Sequence, residues 1–222
     1  MTLLPSDGAV IPVGFTQRGA FQKMGVDHNM KDLEKYQKKL QRYLDKGRYQ
    51  HTLGVMYTSA ALAMAWQYDL EKAMIAGLLH DCAKNVPNEK KLELCKKHHI
   101  EVTEIERENP FLLHAKVGAW IAKKKYDIKD EEILHAIKVH TTGEPAMGTL
   151  DMILFIADYI EPGRDKASNL PQIRKMAFIS LEQTVEKILY DTLHYLNEKS
   201  GRIDPTTEIT YEYYKNRKEM AE

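Results

Sequence analysis

The chain has 222 residues, enough for one large domain with a substantial buried core. Its 32 basic and 32 acidic side chains cancel, so the basic excess of a dedicated nucleic-acid or anionic-membrane binder is missing. Hydrophobic residues at 43% and charged residues at 29% are ordinary for a globular protein, no apolar run reaches the roughly 20 residues that span a bilayer, and two cysteines are too few for a disulfide scaffold.

Residues 1–26 are punctuated by Gly and Pro and lack the charged start and continuous apolar stretch of a signal peptide. They read as a poorly ordered appendage, or as sequence ahead of the true start, since Met24 and Met30 could each begin the chain. Residues 27–222 read as the domain. From Lys31 the pattern is helical: Leu33, Tyr36, Leu40, Tyr43 and Leu44 recur at three- and four-residue spacing. A second helix is expected over 49–66, rich in Ala and Leu, and a third over 71–80, apolar nearly all round and therefore central. Pro87 and Asn88 supply a loop and cap for 89–98. Pro110 opens a helix that runs through His114 and Trp120 to the lysines 123–125. Asp130 caps a helix holding Ile133, Ile137 and His140, which Thr141-Thr142-Gly143 stops. Thr149 starts a helix closed by Pro162-Gly163, and two more are expected over 172–199 and 206–220, separated by Ser200-Gly201 and Pro205. No alternating strand or internal repeat occurs, so the expected fold is all-α, a compact multi-helix bundle.

Five polar settings stand out: His51, the adjacent His80-Asp81 in GLLHDCAK, His114 in PFLLHAKVGAW, His140 in AIKVHTTG, and Asp158 in LFIADYIEPGR. Each lies in apolar sequence that predicts burial, and a buried imidazole or carboxylate without a partner costs several kcal/mol, so such groups can satisfy one another around a metal. Any one of the histidines alone is more often a hydrogen-bonded core residue. The His80-Asp81 pair changes this: neighbouring helical side chains diverge by about 100°, so both reach one centre only where the helix end points at it. His98 and His99 lie in a lysine-rich, solvated segment, His28, His135 and His194 carry no signal, Asp151 is a first-turn carboxylate, and Cys82 packs. The runs Lys38-Lys39, Lys90-Lys91 and 123–125 are interleaved with acids and read as solvated faces. Arg48 shares a face with His51, Lys84 follows the pair by three residues, and Arg164 sits on the loop after Asp158; together they outline a phosphate cradle.

His51, His80-Asp81 and Asp158, with the longer strings RYQHTLGV, AGLLHDCAKN, LLHAKVGA, IKVHTTG and ADYIEPGR, resemble the HD-domain metal-dependent phosphohydrolases, and within them the YqeK-type symmetrical bis(5'-nucleosyl)-tetraphosphatases. The likeness covers about residues 31–214. It implies two divalent or mixed-valent metal ions, iron first, with manganese or zinc as alternatives: one held by His51, His80, Asp81 and Asp158, the second by Asp81 as bridge with His114 and His140. Mixed imidazole and carboxylate donors suit those metals better than magnesium or calcium. The resemblance further implies phosphate contacts from Arg48, Lys84 and Arg164, and nucleotide contacts from the late loop Gly201, Arg202, Ile203, Asp204, Pro205 and Thr206, although Asp204 stands where such loops usually carry His. The implied reaction is hydrolysis of diadenosine tetraphosphate to two ADP by attack of metal-activated hydroxide on an inner phosphorus, with Asp81 and Lys84 catalytic.

Three other readings share these residues. A mononucleotide-specific nucleotidase or deoxynucleotide phosphohydrolase would use the same ligands; a cyclic-dinucleotide phosphodiesterase lacks its Gly-Tyr-Pro string here; a non-enzymatic nucleotide-sensing module would leave the cations unexplained. The expected setting is cytoplasmic, with a nucleotide substrate, no nucleic acid and no membrane, and a homodimer is the oligomer such relatives suggest.

Overall fold

The computed structural model describes the backbone of residues 26–198 and 203–221. The expected appendage therefore lies, but for its last residue, outside the described residues, as do Gly201 and Arg202 of the late loop. Among the described residues the chain is helical throughout, with no strand: α1 (Val26–Leu40), α2 (Lys46–Ala65), α3 (Leu70–Leu79), α4 (Asn88–His98), α5 (Glu104–Glu108), a 3-10 turn (Pro110–Leu113), α6 (His114–Lys125), α7 (Glu131–Val139), α8 (Thr149–Ile160), α9 (Leu170–Met176), α10 (Leu181–Glu198) and α11 (Pro205–Ala221).

Carboxylates start several of these helices. Asp45 and Asp69 accept the backbone N–H of Arg48 and Lys72 at the heads of α2 and α3, and Asp130 caps α7 through Glu132 and Ile133, as expected. Asp151 accepts from Gly148 N at 2.9 Å in the first turn of α8. Four boundaries differ from expectation. The helix from Pro110 is broken, because the proline turn stays 3-10 up to Leu113 and α-helix begins at His114. The stretch 172–199 is interrupted between Met176 and Leu181, where Ser180 Oγ accepts from Gln183 N and starts α10 afresh. A short α5 precedes the proline turn, held by a capping box between Thr103 and Glu106. At α4, Pro87 rather than Asn88 occupies the cap, with no side-chain bond.

α2, α3, α7 and α8 pack on one another around a centre that includes Met56, Leu78, Leu79, Ile137, Ile153, Leu154 and Ile156, all fully buried. α2 and α3 cross closely: a Cβ on Gly77 would stand 2.8 Å from the Cα of Met56. α6 lies on α7, α10 on α8, and α11 on α10. Tyr214 of α11 is buried, its hydroxyl accepting from Met147 N at 2.9 Å. No described helix is long and apolar enough to cross a membrane.

Candidate metal centre

Five helices bring their polar residues to one place. His51 comes from the first turns of α2, His80 and Asp81 from the turn that ends α3, His114 from the head of α6, His140 from the end of α7, and Asp158 from the last turn of α8. His80 and His140 sit where helices run out, and helix ends leave carbonyls without an intrahelical partner. The ring Nδ1 of His80 lies 2.7 Å from Gly77 O, and that of His140 2.7 Å from Ile137 O. The proline turn does the same for His114, whose Nδ1 is 2.8 Å from Phe111 O. A ring N–H donated to a carbonyl leaves Nε2 as the lone-pair nitrogen, the form a metal takes.

All these Nε2 atoms face carboxylate oxygens. Asp81 is 2% exposed and its two oxygens look in different directions. Oδ2 is 3.5 Å from His80 Nε2, 3.9 Å from His51 Nε2 and 2.8 Å from Arg48 Nη1. Oδ1 is 3.3 Å from His114 Nε2, 3.8 Å from His140 Nε2 and 3.8 Å from Lys84 Nζ. Asp158 Oδ1 is 3.0 Å from His51 Nε2 and 2.6 Å from Arg164 Nη2. The Nε2 nitrogens of His51, His80 and His140 and the Asp81 Oδ1 oxygen are buried without a hydrogen-bond partner. Two groups, His51-His80-Asp158 and His80-Asp81-His140, have ligand atoms close enough to hold a cation. Unpartnered lone pairs turned toward one another are costly in a dry interior, and a metal ion removes that cost. The residues present thus fit a metal. His114 differs in one respect: its Nε2 accepts from the Lys84 ammonium at 3.0 Å.

The electrostatics of His114 and His140 suit this donor set, whereas at His80 burial is outweighed by Asp81 and then Asp158, which raise it overall. Burial, reinforced by His140 and Lys84, pushes the pKa of His114 down to about 3, and burial with His80 pushes His140 down to about 4, so both rings are neutral at neutral pH. Burial alone would raise Asp81, but His80 and then Lys84 outweigh it and hold the carboxyl far below its usual range. Asp158 is likewise raised by burial and brought well down overall by His51, His80 and Arg164. Burial lowers the Lys84 ammonium.

The expected cations all reach the centre: Arg48 on Asp81, Lys84 on His114 and Asp81, Arg164 on Asp158, all partly exposed at its open side. The late loop is placed differently. Asp204 Oδ1 accepts from Thr206 N and caps α11, with Ile203 and Pro205 on either side of it in sequence. Asp204 and Thr206 face a cavity of about 420 Å³ shared with Lys116, Thr141, Gly143 and Glu144. Two residues escaped the sequence reading. Glu161, 3% exposed, lies 3.0 Å from His51 Nδ1 through Oε1. Lys91, expected on a solvated face, is 2% exposed, its ammonium donating to Asn88 Oδ1. Of the histidines set aside, His135 pairs with Asp151 and Glu144 at 3.0 Å each, and His98 stacks on Trp120, which corrects its solvated reading. Cys82 is buried and donates to Gly118 O, a packing role as expected.

Comparison with known proteins came to the same region. A family model described as HD domain matches residues 48–163. The chain is 35% identical over 174 residues to the symmetrical bis(5'-nucleosyl)-tetraphosphatase of Bacillus subtilis (strain 168), covering 78% of this chain and 92% of that protein. It is 36% identical over 169 residues to the protein of the same name from Halalkalibacterium halodurans, covering 76% and 89%. The crystal structure of a predicted HD superfamily hydrolase involved in NAD metabolism from Clostridium acetobutylicum superposes with a TM-score of 0.80 at 40% identity, over 83% of this chain and 97% of that one.

Proposed function

The chain belongs to the HD-domain hydrolases, among the symmetrical bis(5'-nucleosyl)-tetraphosphatases, and on that premise we propose that it hydrolyses diadenosine tetraphosphate, and related dinucleoside polyphosphates, to two nucleoside diphosphates. The observation that carries the reading is Asp81: one buried carboxylate with its two oxygens turned to two sets of imidazoles. That arrangement supports a pair of cations with Asp81 between them, His51, His80 and Asp158 completing one position, His114 and His140 the other. His114 joins the set when the Lys84 ammonium leaves its Nε2. A mixed imidazole and carboxylate donor set suits iron, manganese or zinc, and the likeness to the symmetrical tetraphosphatases puts iron first among them. Both cysteines are free, in keeping with the reducing cytoplasm proposed for the protein.

When bound, such a metal pair supplies hydroxide at neutral pH and a Lewis-acidic contact for a phosphoryl oxygen. The chain's own groups do the rest. Arg48, Lys84 and Arg164 each rest on a carboxylate or imidazole at the open side of the centre, and a polyphosphate entering there would draw all three onto its oxygens. Lys84 and Arg164 then face the charge that develops on the attacked phosphoryl group. The leaving group is a phosphate oxygen, which departs without a dedicated acid. Arg48 and Arg164 grip one diphosphate half, so that the middle of the polyphosphate lies over Asp81.

Turnover of diadenosine tetraphosphate by the purified protein, with iron, with manganese and without metal, tests the reading through the products separated by ion exchange. Metal-dependent formation of ADP alone is expected. ATP with AMP would overturn the symmetric geometry, and hydrolysis of mononucleotides in place of the tetraphosphate would overturn the substrate.

A further inference from the structure

Three of the four histidines at the centre are held alike, with Nδ1 against a backbone carbonyl of their own chain segment: Gly77 O, Phe111 O and Ile137 O. His51 is held by a charge. Its Nδ1 meets Glu161 Oε1 at 3.0 Å, and this carboxylate is nearly as buried as Asp81.

The carboxylate is seated in a built socket. Gly163 N donates to Oε2 at 2.6 Å, and Arg174 of α9 donates to the Glu161 carbonyl at 3.0 Å, fixing the backbone. Space for the side chain comes from two glycines. A Cβ on Gly54, one turn along α2 from His51, would stand 2.4 Å from Oε2, and one on Gly163 would stand 3.0 Å from both oxygens. Gly54 on α2 and Gly163 on the loop after α8 thus close on one oxygen pair, while Arg174 holds the backbone that carries it, and the remaining task of that pair is to receive the ring N–H of His51. With Nδ1 donating to Glu161, the Nε2 lone pair points at Asp158 Oδ1 from 3.0 Å, an acceptor facing an acceptor. A carbonyl partner fixes a ring's tautomer; a carboxylate partner also pushes electron density through the ring and raises its donor strength.

We infer that Glu161 is a positioning residue that makes the two metal positions unequal, strengthening the one built from His51, His80 and Asp158 over the one completed by His114 and His140. The inference rests on the metal reading above but not on the identity of the substrate. The His51 position fills first and releases its ion last, and the other exchanges more freely beside the Lys84 ammonium, which competes for His114 Nε2.

Calorimetric titration of the metal-free full chain with Mn²⁺ or Co²⁺ tests this, with the ligand-field absorption of Co²⁺ as a second readout of the first position filled. The wild type is expected to bind in two resolved steps. Glu161→Gln should weaken the tighter step by about ten- to a hundredfold and leave the weaker step as it was. Gly54→Ala provides the same test with the carboxylate chemically intact: its methyl group must displace Glu161, while alanine itself favours helix α2. It too should weaken the tighter step and alter the Co²⁺ spectrum of the first ion. A single step in the wild type, equal weakening of both steps, or an unchanged tight step in both variants would overturn the inference. Because no nucleotide is present, failure of the wild type to cleave a tetraphosphate would leave the metal result standing, and loss of the metal asymmetry would leave the substrate assignment standing.

Discussion

Asp81 serves two imidazole sets from one side chain, and Lys84 sits beside it as a cation that serves neither as ligand. Their replacements should therefore separate. Asp81→Ala is expected to lose both metals, read by elemental analysis of the purified protein, together with all measurable hydrolysis. Lys84→Ala should keep its metal content and lose about 10²–10³-fold in kcat, the usual loss on removing one positioned electrostatic donor. Full activity in Asp81→Ala would show the centre to be misassigned. At this scale the sequence was most legible where a polar residue interrupts an apolar run, because burial forces such a residue to find a partner; His80, His114 and His140 are buried as that pattern predicts, and Asp158 is half-buried beside them. Glu161 was not legible, since a carboxylate at the end of a helix and before Pro162-Gly163 has the pattern of a solvated terminus. Its burial is set by Gly54 on a distant helix, which no local pattern records. Lys91 was misread for the same reason: it follows Lys90 in a polar run, and its burial arises only once α4 is packed into the fold.

Between elements, the close crossing of α2 and α3 does more than fill the core. Gly77 lies against the Met56 backbone and its own carbonyl holds His80 Nδ1, so the distance between the two helices also sets where His80 Nε2 points. Gly77→Ala would place a methyl group against backbone that cannot yield. We expect a loss of about 1–3 kcal/mol by chemical denaturation, the range for overpacked cores, accompanied by weaker metal binding. A stable Gly77→Ala protein with unchanged metal affinity would show that the helices can separate without moving His80. The helices themselves were readable from period and caps, most clearly at α7, where Asp130 caps as its sequence suggests. The interruptions were not. Phe178 and Ile179 continue an apolar pattern across the gap between α9 and α10, and the break follows from the Ser180 cap and from Trp66, whose indole N–H donates to Ala177 O.

For the molecule as a whole, buried phenols set a limit at high pH. Burial pushes the hydroxyls of Tyr126 and Tyr214 above their ordinary value, the Met147 N–H drawing Tyr214 back only in part. In the unfolded chain both ionise near pH 10, whereas the folded chain keeps their protons to higher pH. Their contribution to stability is thus complete below about pH 10 and is lost as pH rises through the folded values. Denaturant midpoints should hold steady up to that pH and fall above it, and Tyr126→Phe should flatten the fall. A midpoint that stays level beyond pH 11 or so would mean these phenols ionise freely in the folded protein. The dispersal of the proposed metal ligands, from His51 on α2 to Asp158 on α8, also governs the order of events in time. No part of the centre exists until helices far apart in the chain have met and docked, so an ion has little to grip in the early, partly formed molecule. Bound metal should then act as a late clasp that slows unfolding and leaves the refolding rate nearly unchanged, as stopped-flow traces with and without chelator would show. Refolding that quickens with added metal would instead place the gathering of these five helices at the barrier itself.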